Sequence, residues 1–217
     1  MGYQQIIEDM MNQVDFGVMI TTAYIADNLL IKVNTDPERV RKIVNTSMNR
    51  LLKTRKDFIR FKKGIYYKTK MTPFGNIPID PLQIGINTYL RRQGKQIGYE
   101  TGPSLCNQLG LSTLMPRYRY FATNIFRQRG NLIDEKLGIV LRKPRMLVNE
   151  QNYKYLQLLD LIENKEKISY DTTNPISILF SFIQRNHLDF GKLLGYAKKY
   201  YTARTVSHLV ELAVQNL

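Results

Sequence analysis

The feature that most constrains this chain is a basic helical segment followed directly by a basic hairpin pattern. Residues 36–55, DPERVRKIVNTSMNRLLKTR, have the apolar spacing of an amphipathic helix, and Asp36-Pro37 supplies residue types that begin one. Residues 58–68, FIRFKKGIYYK, then alternate around Lys62-Lys63-Gly64, as two short strands joined by a tight turn do. This order of elements predicts the second half of a winged helix-turn-helix domain over residues 1–70.

The preceding segment supplies the two earlier helices that such a domain needs. Apolar residues recur at helical spacing over the first turns of the chain, and Gly17 is expected to end that helix. Residues 18–20 form a candidate strand that pairs with the later hairpin. Thr21 or Thr22 can cap a second helix that extends to about Asn28. The residues expected to face the core are Tyr3, Ile6, Ile7, Met10, Met11, Val14, Ile25 and Leu29.

The charge is concentrated in the same region. The chain carries a formal net charge of +14, and residues 29–70 hold 13 Lys and Arg but 3 Asp and Glu. Residues 150–217 hold 8 basic and 7 acidic residues, so the last third is almost neutral. A concentrated positive field favours a polyanionic partner. A membrane is not expected, because no segment combines a basic face with a bulky apolar face or approaches the length of a span.

A helical wheel at about 100° per residue separates two faces of the basic helix. The side expected to pack inward contains Val40, Ile43, Val44, Met48, Leu51 and Leu52. The opposite side is centred on Lys42, Asn45, Thr46, Asn49 and Lys53, and is flanked by Glu38, Arg39 and Arg50. Asn can pair with adenine, and Arg or Lys with guanine, when such a helix enters the major groove. This face therefore predicts reading of base sequence in double-stranded DNA.

The residues that follow the helix are expected to hold the DNA backbone. Phosphate contacts set the register of a protein on the duplex, and Lys and Arg make most of them. In the hairpin, the predicted core contacts come from Phe58, Phe61, Ile65 and Tyr67. The complete predicted DNA-binding set is Arg39, Lys42, Asn45, Thr46, Asn49, Arg50, Lys53, Arg55, Lys56, Lys62 and Lys63.

Residues 71–217 are predicted to form a second, α+β domain that is helical from about residue 150. Its first part, MTPFGNIPIDP, is rich in proline and suggests a linker, and residues 81–92 suggest a helix. Short strands are expected in GYETG, RYRYFATN and LGIVLRK, with a helix in PSLCNQLGL that Gly110 stops. The last helix should present a stripe of Val206, Leu209, Val210, Ala213, Val214 and Leu217, which packs in the core or binds a partner.

No residues suggest catalysis, a cofactor or a metal site. The chain lacks a P-loop, a nucleophile elbow and a dinucleotide fingerprint. Cys106 lies among leucines and is expected to be buried, while His187 and His208 should be surface or packing residues. One cysteine permits no internal disulfide, which favours the cytoplasm. We therefore expect a non-enzymatic, cytoplasmic protein. Four further arginines could bind nucleic acid or an acidic partner, or protect a strand edge: Arg117, Arg119, Arg127 and Arg129.

The middle of the chain resembles the antitoxins of AbiE-type abortive-infection systems, which belong to the type IV toxin–antitoxin class. The resemblance covers roughly residues 1–145 and rests on the winged-helix pattern, GIYYKTKMTPFG, RYFATN and a signature between them. The signature residues are Gly98, Tyr99, Thr101, Gly102, Ser104, Asn107, Leu109, Gly110, Leu111, Ser112 and Thr113. Their chemistry suggests a scaffold: glycines for turns, Thr101 or Pro103 to start a helix, and Asn107 to tie a loop.

The resemblance implies two activities. The N-terminal domain would bind inverted repeats in its own promoter and repress the operon. The remainder would neutralise a co-encoded nucleotidyltransferase-like toxin, directly or without a stable complex. Alternatives are a stand-alone transcriptional regulator without a toxin and an RNA-binding module in which Tyr66, Tyr67, Tyr118 and Tyr120 stack on bases. A catalytic antitoxin would need an acid–base constellation that the sequence does not offer.

Overall fold

The computed structural model describes residues 2–32, 36–77, 80–92, 94–165, 168 and 170–214. It is a mixed α+β structure, as predicted from the sequence. Its contacts divide the chain after Thr88 into two compact units, which are described separately below.

The first unit begins with three helices that pack with a small antiparallel sheet. Its principal elements are α1 (Tyr3–Asn12), β1 (Met19–Thr21), α2 (Thr22–Lys32), α3 (Pro37–Thr54), β2 (Phe58–Lys62) and β3 (Ile65–Lys68). The strand order is β1-β3-β2, with Ile20 opposite Tyr66 and Ile59 opposite Tyr67. The predicted pairing of the short early strand with the hairpin is confirmed.

Side chains begin two of these helices in the predicted way. The Asp36 carboxylate accepts the N–H of Arg39 at 2.9 Å, and Pro37 occupies the first turn of α3. The Thr21 hydroxyl accepts the N–H of Tyr24 at 3.0 Å, which caps α2. The predicted ends were wrong, however: α1 stops at Asn12, before Gly17, and α2 continues beyond Asn28 to Lys32.

Gly17 has a different structural role from the one predicted. Its φ of +76° places it in a turn, and its N–H donates to the carbonyl of Lys68 at 2.9 Å. Glycine adopts this left-handed conformation without steric cost. Gly17 therefore joins the α1–β1 connection to the end of β3 instead of ending the helix.

One apolar core joins all the principal elements of the first unit. Its buried members are Ile7, Met11, Ile20, Ile25, Ala26, Leu29, Val40, Val44, Met48, Leu51, Phe58 and Tyr66. In β3 the inward residue is Tyr66, whereas Ile65 and Tyr67 are only partly buried. The predicted inward residues of this strand were wrong because Tyr66 lies opposite the buried Ile20 of β1, and opposite residues share a face of the sheet.

The segment after β3 folds onto the first unit and is not a plain linker. It forms a hairpin of β4 (Met71–Thr72) and β5 (Gly75–Asn76), followed by α4 (Pro81–Tyr89). The Thr69 hydroxyl donates to the carbonyl of Ile77 at 2.9 Å, and Asn87 Nδ2 donates to the carbonyl of Gly17 at 3.3 Å. These bonds explain why the first unit extends past residue 70, the boundary predicted from the sequence.

The described residues of the second unit form a four-stranded sheet and one further hairpin. Its strands and first helix are β6 (Arg91–Arg92), β7 (Lys95–Gln96), β8 (Gly98–Thr101), α5 (Gly102–Gln108), β9 (Arg119–Thr123), β10 (Asn131–Asp134) and β11 (Ile139–Arg142). The sheet order is β10-β11-β9-β8, with β9 and β11 parallel. The predicted helix over residues 81–92 was too long, since residues 91–92 belong to β6. Strand β10 was not predicted.

In the described residues after Pro144, four helices complete the second unit, as the sequence pattern predicted. They are α6 (Tyr153–Asn164), α7 (Pro175–Arg185), α8 (Phe190–Tyr200) and α9 (Ala203–Val214). In α9 the buried residues are Thr205, Leu209 and Leu212, whereas Val210 and Val214 are 44% and 63% exposed. The predicted stripe on this helix was therefore displaced, and its last residue, Leu217, lies outside the described residues.

The close packing of Gly98 generates a first prediction. A Cβ at Gly98 would lie 2.7 Å from the carbonyl oxygen of Ala122 and still closer to that of Tyr89. Gly98→Ala should therefore lower the free energy of unfolding by about 2 kcal/mol or more, because backbone atoms must move.

The matched control is Gly195→Ala in α8, where a Cβ would meet nothing within 4 Å. It should raise the free energy of unfolding by about 0.5–1 kcal/mol, since alanine favours a helix. Urea unfolding followed by circular dichroism measures both changes. Equal effects of the two substitutions would contradict the packing at Gly98.

Candidate nucleic-acid interface

The exposed face of α3 is the first half of the candidate interface. Val40, Val44 and Met48 are fully buried in the core of the first unit. The opposite side of the helix is exposed and carries Arg39, Arg41, Lys42, Asn45, Thr46, Asn49, Arg50 and Lys53. The predicted orientation of α3 is confirmed, with Ser47 as an additional buried residue. Side chains that can hydrogen-bond to base edges and positively charged side chains therefore lie on one accessible face.

The tip of the β2–β3 hairpin is the second half of the candidate interface. Gly64 has a φ of +73°, and its carbonyl accepts the N–H of Thr22 at 2.9 Å. Lys63 is exposed and Lys62 is partly exposed. The Gly64–Thr22 bond fixes the hairpin tip beside the first residue of α2. A tight, lysine-bearing turn is thus held by the fold instead of projecting as a loose loop.

Arg55 does not fit the predicted phosphate-binding role. Its Nε and Nη2 donate to the two carboxylate oxygens of Asp57 at 2.8 and 2.7 Å, and its Nη1 donates to Asn12 Oδ1 at 2.8 Å. Glu8 lies 3.9 Å from Nη1. The hydrogen bonds from Arg55 lower the pKa of the Asp57 carboxyl. Arg55 therefore links α1 to the connection between α3 and β2, and we leave it out of the interface.

Two other cations of the hairpin region also have internal roles. Lys68 Nζ donates to the carbonyls of Asn12, the last residue of α1, and of Val14, just beyond it, at 3.2 and 2.7 Å. Lys70 Nζ lies 5.5 Å from the centre of the Phe16 ring. The remaining predicted residue, Lys56, is exposed in the turn that follows α3. Some cations of residues 29–70 thus contact other groups of the first unit, while others are exposed at its surface.

Two of the four tyrosines considered for RNA stacking are engaged in packing within the fold. Tyr66 is 3% exposed and belongs to the core, so it cannot stack on a base. Tyr120 packs against Gly102, where an added Cβ would lie 3.3 Å from ring atom Cγ. In the same region Arg119 forms an ion pair with Glu100, and the Arg117 guanidinium lies 5.2 Å from the centre of the Tyr118 ring. These contacts account for part of the arginine cluster, while Arg127 and Arg129 are exposed.

The signature residues of the second unit hold β8 and α5 in place. Gly102, the first residue of α5, and Gly110, just after the helix, have φ angles of +64° and +74°. Asn107 Nδ2 donates to the carbonyl of Ser112 at 3.2 Å, which ties the following loop as predicted. The Ser104 hydroxyl accepts the N–H of Tyr120 at 3.0 Å and thereby joins α5 to β9. These contacts fit the predicted scaffold role.

A buried carboxylate collects several hydrogen bonds in the second unit. Asp160 of α6 is 1% exposed. Its Oδ2 accepts the hydroxyls of Tyr99 and Thr101 at 3.0 and 2.9 Å and also pairs with Arg142, while its Oδ1 accepts Tyr201 Oη at 2.9 Å. We call these five residues the Asp160 cluster. The cluster was not predicted from the sequence, because its members come from β8, β11, α6 and the end of α8.

The Asp160 cluster has the properties of a structural network. Burial, followed by the charge of Asp160, raises the pKa of the Tyr99 and Tyr201 phenols well above the usual value. Both phenols therefore stay protonated and donate to the carboxylate. Thr101 Oγ1 also accepts Arg142 Nη2 at 2.9 Å. The carboxylate is thus satisfied by neutral donors and one guanidinium, as a buried charge requires.

The other residues considered for chemistry are in environments that do not activate them. Cys106 is fully buried, and burial raises the pKa of its thiol to about 12. A thiol in this state is a poor nucleophile. Within the described ranges, no group of three His, Cys, Asp or Glu residues could hold a metal ion. No described helix is long and apolar enough to cross a membrane.

Comparisons with known proteins add no assignment. No protein-family model matches the chain, and a search of curated proteins gave no significant match.

The Asp160 cluster generates a prediction about stability. Asp160→Asn removes the charge that balances Arg142 and should lower the free energy of unfolding by about 2–4 kcal/mol. The effect should not exceed this range, because the Arg142 side chain is 25% exposed and can be partly hydrated. Denaturant unfolding at neutral pH measures the change.

Glu163→Gln, on the same helix, provides the control. Glu163 pairs with Arg145, whose side chain is 48% exposed, so its loss should cost less than about 1 kcal/mol. If the two variants were equally stable, the Asp160 cluster would not contribute as described.

Proposed function

We propose that this chain is the DNA-binding antitoxin and autorepressor of an AbiE-like type IV toxin–antitoxin system in the cytoplasm. Its first unit acts as a winged helix-turn-helix domain that binds inverted repeats in its own promoter. Its second unit counteracts a co-encoded nucleotidyltransferase-like toxin, directly or indirectly. Neither activity requires catalysis or a cofactor in this chain.

The observation that carries the DNA-binding proposal is the composition of the exposed face of α3. Asn45 and Asn49 lie among cations on the exposed face of the helix, opposite the apolar side that is buried in the core. The side-chain amide of asparagine can make two hydrogen bonds to an adenine edge. The surrounding Arg and Lys residues suit guanine edges and phosphates.

The hairpin supports the same proposal by supplying phosphate contacts at a second position. The tip bears Lys62 and Lys63, and its backbone bond to Thr22 limits its movement. A helix that reads base edges needs such contacts, since they fix the register of the protein on the duplex. Single-stranded RNA is a weaker candidate, because Tyr66 is buried.

The antitoxin part of the proposal rests on the resemblance of residues 98–113 to the AbiE-type signature. A stand-alone regulator without a toxin would have the same first unit. The identity of the neighbouring reading frame therefore distinguishes these two alternatives before any protein is purified.

The DNA-binding proposal predicts different effects for two kinds of residue. Binding to the promoter fragment should show a log–log salt slope of about −5 if about six phosphates are neutralised. Asn45→Ala should cost about 1–3 kcal/mol on particular base pairs of the operator. Lys62→Ala combined with Lys63→Ala should weaken binding to every duplex and make the slope less negative by about 1–2. Fluorescence anisotropy at several salt concentrations measures these quantities.

Lys198→Ala is the matched charge control, since Lys198 is exposed in the last turn of α8 in the other unit. It should leave operator affinity unchanged. Equal affinity for operator and random duplex, together with no effect of Asn45→Ala, would reject the sequence-reading role of α3.

The antitoxin proposal predicts rescue of growth. Expression of the adjacent nucleotidyltransferase-like gene should arrest growth, and co-expression of this chain from an unrelated promoter should restore it. The Lys62→Ala, Lys63→Ala variant should still rescue, because neutralisation is assigned to the second unit. If the adjacent gene encodes no such protein, or if the wild-type chain fails to rescue, this half of the proposal is wrong.

A further inference from the structure

The two edge strands of the four-stranded sheet in the second unit, β8 and β10, differ in whether other side chains cover them. At the β8 edge, Gln157 Nε2 donates to the carbonyl of Glu100 at 3.0 Å, and Gln96 Nε2 donates to the carbonyl of Gly98. All four residues of β8 are buried. Side chains therefore occupy backbone acceptors that a further strand would need, and this edge is closed.

The β10 edge has the opposite character. In the described part of the chain β10 pairs with β11 and with no other strand. Leu132 and Ile133 are 51% and 53% exposed, and because successive residues point to opposite faces, apolar side chains are exposed on both faces. The strand contains neither lysine nor proline, which usually protect an edge from pairing. An edge of this kind is suited to the addition of another strand.

The charges that flank β10 are opposite in sign at its two ends, so two antiparallel copies of the strand are complementary in charge. Arg127 and Arg129 precede the strand, and Asp134 and Glu135 lie at its end. Arg129 and Glu135 are both exposed. When two copies of such a strand run antiparallel, the basic end of each lies beside the acidic end of the other. This chain has a net charge of +14, so two copies need local complementarity of this kind to approach.

Symmetry restricts the register of such a pair. A two-fold axis perpendicular to the sheet keeps each residue on the same face, so one residue must lie opposite itself. With Leu132 opposite Leu132 of the second copy, the segment before β10 that carries Arg129 lies beside the turn after β10 that carries Glu135, on both sides of the axis. With Ile133 at the axis, Leu132 would instead face Asp134. The first register joins apolar with apolar and basic with acidic residues.

We propose that the chain forms a two-fold homodimer in which β10 pairs antiparallel with β10 of a second copy, with Leu132 at the axis. The two four-stranded sheets then form one continuous sheet. The pairing requires no DNA and does not depend on the proposed function. It nevertheless provides the two-fold symmetry that binding to an inverted repeat uses.

The test is the oligomeric state of the full chain without DNA, measured by sedimentation velocity over about 1–100 µM protein. The wild-type chain should be dimeric at the upper concentrations. Leu132→Lys places two ammonium groups opposite each other at the axis and should raise the dissociation constant at least about tenfold. Ile133→Lys is the matched control: it is equally exposed but faces Asn131 of the second copy, so its effect should stay below about threefold.

A charge reversal tests the register independently. Arg129→Glu and Glu135→Arg should each weaken the dimer, because each brings like charges near one another at both ends of the paired strands. The double variant restores opposite charges and should recover most of the wild-type affinity. A non-specific association would show no such recovery.

Several results would overturn the proposal. A wild-type chain that stays monomeric throughout the concentration range would reject the homodimer, and the partner of the β10 edge would then be a strand of another protein. A dimer that neither Leu132→Lys nor the charge reversals affect would use another surface. If Leu132→Lys does not fold, as judged by its thermal unfolding, the charge-reversal series decides alone. A wild-type chain that dimerises but does not bind the operator would reject the DNA-binding proposal without affecting the homodimer proposal.

Discussion

The rotation of α3 about its own axis is the constraint on which the proposed interface depends. Val40, Val44 and Met48 are fully buried, and their spacing fixes one side of the helix against α1 and α2. A rotation by one residue, about 100°, would bring Lys42 or Asn45 toward that core without a partner. The apolar residues therefore determine which polar residues face outward, although none of them could contact a ligand.

Nearby acids and carbonyls determine which cations of the first unit remain at the surface. Arg55 is held by Asp57, two residues further along the chain, and Lys68 by carbonyls at the end of α1 and just beyond it. The exposed side of α3 has a single acid, Glu38. It lies in the first turn, where its negative charge interacts favourably with the helix dipole. The basic surface is consequently narrower than the charge count of residues 29–70 suggests, and it is centred on α3 and the hairpin tip.

Local signals made α3 and the hairpin predictable, while non-local pairing made other features unpredictable. The cap at Asp36 and the apolar spacing of α3 are contained in one segment of sequence, and both were predicted correctly. Tyr66 could not be chosen over its neighbours, because an alternating strand has two faces and only pairing with Ile20 selects one. The strand β10 was missed because four residues with two polar ends give no clear periodicity.

The Asp160 cluster explains why the signature of the second unit contains polar residues in a buried strand. Tyr99 and Thr101 lie in β8, whose four residues are all buried, and both donate to the carboxylate of a helix far along the chain. Each hydroxyl would be costly to bury alone, and the carboxylate would be costly to bury without them. The polar positions of the signature thus require Arg142, Asp160 and Tyr201, which lie at the end of the region of resemblance or beyond it. A motif of this kind specifies how the second unit packs, so a partner that depends on it would recognise the folded surface and not the motif itself.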